Sequence, residues 1–109
     1  MTRDGFEPLA RLEDLPDGTL LPVRRTSGER ICLVNDGGEL YAVSDVCTHQ
    51  DFPMSEGQIC DGAIECIWHG ARFDLRSGAV LRAPATDPLP RYEVRVENDE
   101  ILVGPRRVN

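Results

Sequence analysis

Two short runs carry side chains able to hold a metal centre: Cys47-Thr48-His49 and, after 16 intervening residues, Cys66-Ile67-Trp68-His69. Each run offers one thiolate and one imidazole, and the chain's two histidines both lie in these runs. Together a Cys-x-His and a Cys-x-x-His supply two sulfur and two nitrogen donors. That set suits a tetrahedral zinc ion. It also suits a two-iron, two-sulfide cluster with both cysteines on one iron and both histidines on the other. Thiolates are soft, strongly donating anions that favour iron–sulfur chemistry. Imidazole is neutral and donates less charge, so two histidines in place of two thiolates raise the potential of such a cluster. Zinc fingers usually place two cysteines in one run and two histidines in the other, whereas here each run is mixed. The candidate ligands are Cys47, His49, Cys66 and His69.

Strands must bring the two runs together, and the sequence supplies them. Ile31-Cys32-Leu33-Val34 and Leu40-Tyr41-Ala42-Val43 flank Asp36-Gly37-Gly38, a hairpin signal. Asp61-Gly62 sits between Ile59-Cys60 and Ala63-Ile64, a second hairpin that folds the spacer back so the ligand loops emerge side by side. Phe73-Asp74-Leu75 leads into a turn at Arg76-Ser77-Gly78. Pro84, Pro88 and Pro90 mark a loop that is no central strand. Tyr92, Val94 and Val96 alternate with charged residues as a half-buried strand does, and Asn98-Asp99 turns it into Ile101-Leu102-Val103. Pro22 fits an edge strand or a strand start. A short helical segment is expected between Leu9 and Leu15, before Pro16. The reading is all-β.

At 109 residues the chain is one small domain. Six aromatic residues leave its core to Val, Leu, Ile and Ala, so a metal centre tying loops together would support it. The net charge is −7, with arginine as the sole basic residue besides histidine. Acidity argues against nucleic-acid binding and fits docking onto a basic partner. No run approaches the roughly 20 apolar residues of a membrane helix, and Met1-Thr2-Arg3-Asp4-Gly5 opens no signal segment. Cys32 reads as a small buried hydrophobe and Cys60 as a free thiol, which fits a reducing cytoplasm.

The paired runs, with Gly70, Phe73-Asp74, Gly78, the loop at Pro84 and Tyr92-Glu93-Val94, resemble the Rieske family over almost the whole chain. The resemblance implies an antiparallel β sandwich or barrel spanning 1–109, with a small cluster-binding subdomain at about 45–83 inserted in it. It implies one [2Fe–2S] cluster per chain on Cys47, His49, Cys66 and His69, the cysteines on the inner iron and the histidines outermost. Pro84 would lie in the loop covering the cluster.

Within the family, high-potential members have a disulfide beside the cluster; the matching positions here are Phe52 and Trp68. They also have hydroxyls donating to sulfur where this chain has Ala71 and Phe73. Without those donors the expected potential is near the low end of the Rieske range, roughly −150 mV. Asp51, Met54 and Ala83 depart from the usual loop residues. The stand-alone form resembles the ferredoxin of aromatic-ring dioxygenases. This implies an electron carrier with no catalysis of its own, taking electrons from a flavin-dependent reductase and passing them to a terminal Rieske oxygenase. The alternatives are a Rieske-like small subunit of an assimilatory nitrite reductase, or a Cys2His2 zinc-binding interaction module. Electron uptake is expected to couple to imidazole protonation at alkaline pH.

Overall fold

The computed structural model describes residues 5–48, 52–67, 70–83 and 87–107. Among these residues ten strands run β1 (Glu7–Arg11), β2 (Leu20–Arg24), β3 (Arg30–Asp36), β4 (Glu39–Ser44), β5 (Gln58–Cys60), β6 (Ala63–Glu65), β7 (Arg72–Asp74), β8 (Val80–Arg82), β9 (Arg91–Glu97) and β10 (Glu100–Arg106). They form a six-stranded antiparallel sheet, ordered β1-β10-β9-β4-β3-β2, and a four-stranded one, β5-β6-β7-β8. In chain order the small sheet falls between β4 and β9. The all-β expectation holds, and each hairpin read from a two-residue turn forms. At the Asp61-Gly62 turn both residues take positive φ, 44° and 79°, the geometry that lets a tight turn follow the twist of its strands.

The uninterrupted apolar run Ile31–Val34 is explained by burial on both faces. Ile31 and Leu33 point into one core with Leu15, Ala42, Tyr92, Ile101 and Val103. Cys32 and Val34 point the other way, into a second core with Val43, Cys47, Met54, Ile64, Cys66, Phe73 and Leu75. Side-chain alternation along β3 thus makes one strand the wall between two cores. Burial, helped by the nearby Asp45 carboxylate, pushes the Cys32 thiol up, so it stays protonated as a packed hydrophobe.

Pro22 lies on β2, an edge strand, where its missing N–H breaks no central ladder. Two expectations are corrected. Residues 9–11 are extended, because β1 completes the sheet by pairing with β10; only a 3-10 turn, Leu12–Asp14, follows. Val96 is 43% exposed, so the alternation in β9 fades. β4 covers β9 only at Arg91 and Tyr92, and Val96 lies beyond that cover.

Side chains close the seam between the two edge strands of the large sheet. Glu7 on β1 is buried and accepts from the Thr26 N–H (2.9 Å) and hydroxyl (2.5 Å). Arg25 donates to the Gly104 and Val103 carbonyls of β10 (2.6 and 3.3 Å). The Thr26 bonds, with Arg25 nearby, hold the Glu7 carboxyl below its usual range against the opposing effect of burial. A depressed folded value means that the Glu7 contribution is complete above the ordinary carboxylate range and is lost as pH falls through the folded value. Glu7→Gln should therefore lower the urea midpoint most near neutral pH, and the gap from the native chain should narrow on acidification. Paired urea titrations at several pH values check this.

Candidate metal centre

β4 ends at Ser44 and the chain enters the first candidate ligand loop. Asp45, 4% exposed, fixes this loop's base: its carboxylate accepts from the Ser55 N–H (2.7 Å) and hydroxyl (3.2 Å). Its carbonyl accepts from the Met54 N–H (2.7 Å), and Val46 bridges Pro53. Inside that clasp the Cys47 N–H donates to the Phe52 carbonyl (3.0 Å). The second loop is closed in the same way, with the Cys66 N–H donating to the Ala71 carbonyl (2.8 Å). Each loop thus opens on a cysteine whose N–H reaches the carbonyl five residues on.

Cys47 and Cys66 are 3% and 1% exposed and belong to one apolar cluster. The Asp61-Gly62 hairpin, by pairing β5 with β6, returns the spacer so that the second loop starts beside the first. Gly57 permits this: a Cβ there would lie 1.9 Å from the Glu65 carbonyl oxygen, so only glycine lets the spacer pass so close to β6. His49 and His69, with Trp68 and Pro84, lie outside the described residues.

The donors that are described fit an iron–sulfur centre. No disulfide joins Cys32, Cys47, Cys60 or Cys66. Cys32 and Cys60 are held in strands, whereas Cys47 and Cys66 sit on tight loops at one end of the small sheet. Two buried sulfurs from separate loops that share one apolar cluster match the soft-donor half of such a site.

Sequence reasoning missed the supports of this arrangement. Glu65, next to Cys66, accepts from Gln58 on β5 (2.6 Å) and Arg72 on β7 (2.7 Å), with Arg82 on β8 at 3.7 Å. These residues are successive cross-strand neighbours, so one carboxylate links all four strands. The Arg72 and Gln58 bonds hold the Glu65 carboxyl below its usual range. The seven-residue interval between Gln58 and Glu65 across a two-residue turn was the available signal. Gly78 is a second support. It has φ +76°, a Cβ there would lie 2.3 Å from the Leu89 carbonyl oxygen, and its own carbonyl accepts from the Leu89 N–H (2.8 Å). The proline segment is thereby laid against the small sheet, and the Asp87 carbonyl accepts from the Thr48 hydroxyl in the first ligand loop (2.9 Å).

Comparison with known proteins places this geometry. The chain is 45% identical over 91 residues to the 3-phenylpropionate/cinnamic acid dioxygenase ferredoxin subunits of Shigella boydii serotype 4 (strain Sb227) and Escherichia coli (strain K12), covering 83% of this chain and 84% of each relative. Its structure superposes on a chain from a complex of reduced oxygenase and oxidised ferredoxin in carbazole 1,9a-dioxygenase, with TM-score 0.89, 29% identity, and coverage of 98% of this chain and 100% of that one. It also superposes on the ferredoxin of carbazole 1,9a-dioxygenase from Nocardioides aromaticivorans IC177, with TM-score 0.83, 34% identity, and coverage of 92% and 97%. Residues 6–93 match the Rieske [2Fe-2S] domain family. With two buried cysteines on twin loops inside the matched span, the chain belongs to the Rieske [2Fe–2S] domain family.

Proposed function

We propose that this chain is the ferredoxin component of a ring-hydroxylating dioxygenase system, carrying one electron at a time from a flavin-dependent reductase to a terminal Rieske oxygenase. The observation that carries this reading is the pair of matching loops opened by Cys47 and Cys66, in a chain 45% identical to dioxygenase ferredoxin subunits. The ligand set is Cys47, His49, Cys66 and His69, and residues 45–83 are the cluster-binding part of a single domain. When bound, a [2Fe–2S] cluster supplies a one-electron couple. The protein's own residues exclude water from the sulfur side, through Phe73, Met54 and Leu89, and fix the loops, through Asp45, Thr48 and Glu65. By the family resemblance His49 and His69, which lie outside the described residues, would serve the outer iron, the side a partner approaches.

No helix among the described residues is long and apolar enough to cross a membrane, and the reading places the chain in the cytoplasm. A structural likeness to the putative nitrite reductase small subunit of Mycobacterium tuberculosis, at 24% identity and TM-score 0.80, supports the fold alone. The test is reconstitution: an oxygenase driven by NADH and a flavin reductase should turn over in saturable dependence on this chain. Turnover indifferent to its addition would refute the reading.

Ala71 and Phe73 are fully buried and bring no hydroxyl to the cluster side. Installing both, by Ala71→Ser and Phe73→Tyr, should raise the reduction potential. One hydrogen bond to sulfur contributes about 1 kcal/mol, or roughly 40 mV per bond for a one-electron couple. A spectroscopic redox titration checks the shift.

A further inference from the structure

The acidic residues of this chain are not spread evenly. At one end of the large sheet, Asp36 faces Glu39 and Glu97 faces Glu100 across their hairpins, with part of that charge offset by Arg11 opposite Glu100, Arg95 against Glu97 (3.4 Å) and Arg76 against Glu39 (3.9 Å). At the opposite end Arg24 faces Arg30, and Arg106 faces Tyr92. The ligand loops leave the sheet from this arginine-bearing end, after β4 and before β9. There a half-open concavity of about 520 Å³ lies between residues 87–90 and the end of β10, with Arg91, Arg106 and Arg107 in its wall.

The charges in that concavity favour an anion. Arg91 donates to the Arg76 carbonyl, and its guanidinium is pulled below its usual range by burial and by the neighbouring Arg107. Arg107 is offset by Glu93 at 3.4 Å. Arg106 is exposed and makes no ion pair among the described residues, and its cross-strand neighbour Tyr92 donates to the Glu29 carboxylate (2.5 Å), which offsets part of its charge. Asp87 on the rim offsets part of the charge. The surplus is a cationic hollow on an acidic protein, walled by the same segment whose Asp87 carbonyl holds the first ligand loop.

We infer that this hollow receives carboxylate side chains from the surface of the terminal oxygenase and so orients the ligand loops toward it; the inference rests on the electron-carrier reading above. Guanidinium groups suit carboxylates because their planar donors match both oxygens. Steering by such charges acts on the encounter rate and weakens as salt rises. The partner's local surface is then acidic, although the net charge of −7 alone suggested a basic one.

The test measures electron delivery from dithionite-reduced protein to the oxidised terminal oxygenase of the Escherichia coli 3-phenylpropionate/cinnamic acid dioxygenase by stopped flow, across ionic strengths. Arg106→Glu should lower the second-order rate about fivefold at low salt and match the native chain at high salt. Its visible spectrum and reduction potential should stay unchanged, with Arg106→Gln falling between. Hexaglutamate should slow the native chain more than Arg106→Glu. An unchanged rate and salt slope, or a loss equal at every salt concentration, would overturn the inference while leaving the carrier reading intact. Absence of transfer from the native chain would instead sink the carrier reading, and this inference with it.

Discussion

Cys66→Ala should leave the chain unable to retain iron, with visible absorption reduced at least about tenfold after reconstitution. Cys66 is 1% exposed at the mouth of a loop closed on Ala71, and it shares an apolar cluster with Cys47. No other described cysteine can take its place: Cys32 points into the core from mid-strand with its thiol held protonated, and Cys60 lies at the far end of the β5–β6 hairpin. The loss should reach beyond colour. Metal binding and folding are coupled where ligands come from separate loops, so the small sheet should lose protection in hydrogen exchange while β3 and β10 keep theirs. Cys32→Ala is the control, and it should retain iron.

Phe73→Ala should destabilise the holoprotein by about 3–5 kcal/mol. Phe73 is fully buried on β7 and packs in the core that also holds Cys47, Cys66 and Met54. In a chain with so few aromatic residues, removing one ring leaves a cavity that the short strands β6 and β7 cannot collapse to fill. Urea unfolding followed by far-ultraviolet circular dichroism measures the cost. Because the cavity borders the cysteine loops, the visible spectrum should decay faster in the variant during storage. A cost within 1 kcal/mol of zero would mean the two sheets are not coupled through this ring.

Much of the architecture was legible because it depends on turn chemistry and period-two alternation. Asp36-Gly37-Gly38, Asp61-Gly62 and Asn98-Asp99 each set a hairpin, and Pro22 marked an edge. What escaped was non-local. The helix expected over residues 9–15 yielded to pairing with β10, a strand about ninety residues away, since tertiary pairing overrides weak local propensity. Val96 looked half-buried because alternation does not reveal where a neighbouring strand ends.

The site shows the same division. Cys47 and Cys66 were identifiable by type and spacing, and the structure sets them on twin loops; His49 and His69 lie outside the described residues. The polar supports around them were hidden, since Asp45 and Glu65 act through partners that only the folded chain brings near, whereas Gly78 was legible as a turn but not as the seat of the proline segment. Net charge sums the molecule and hides its local pairs, such as Asp36 against Glu39, Glu97 against Glu100 and Arg24 against Arg30.

We propose that Cys47, His49, Cys66 and His69 hold a [2Fe–2S] cluster that carries one electron. Electron paramagnetic resonance of the dithionite-reduced protein, with its histidines isotopically labelled at nitrogen, tests it most directly. The expected spectrum is that of a single unpaired spin coupled to both imidazoles, lost in His49→Ala and in His69→Ala. A reduced spectrum free of nitrogen coupling, or one that persists in both variants, would contradict it.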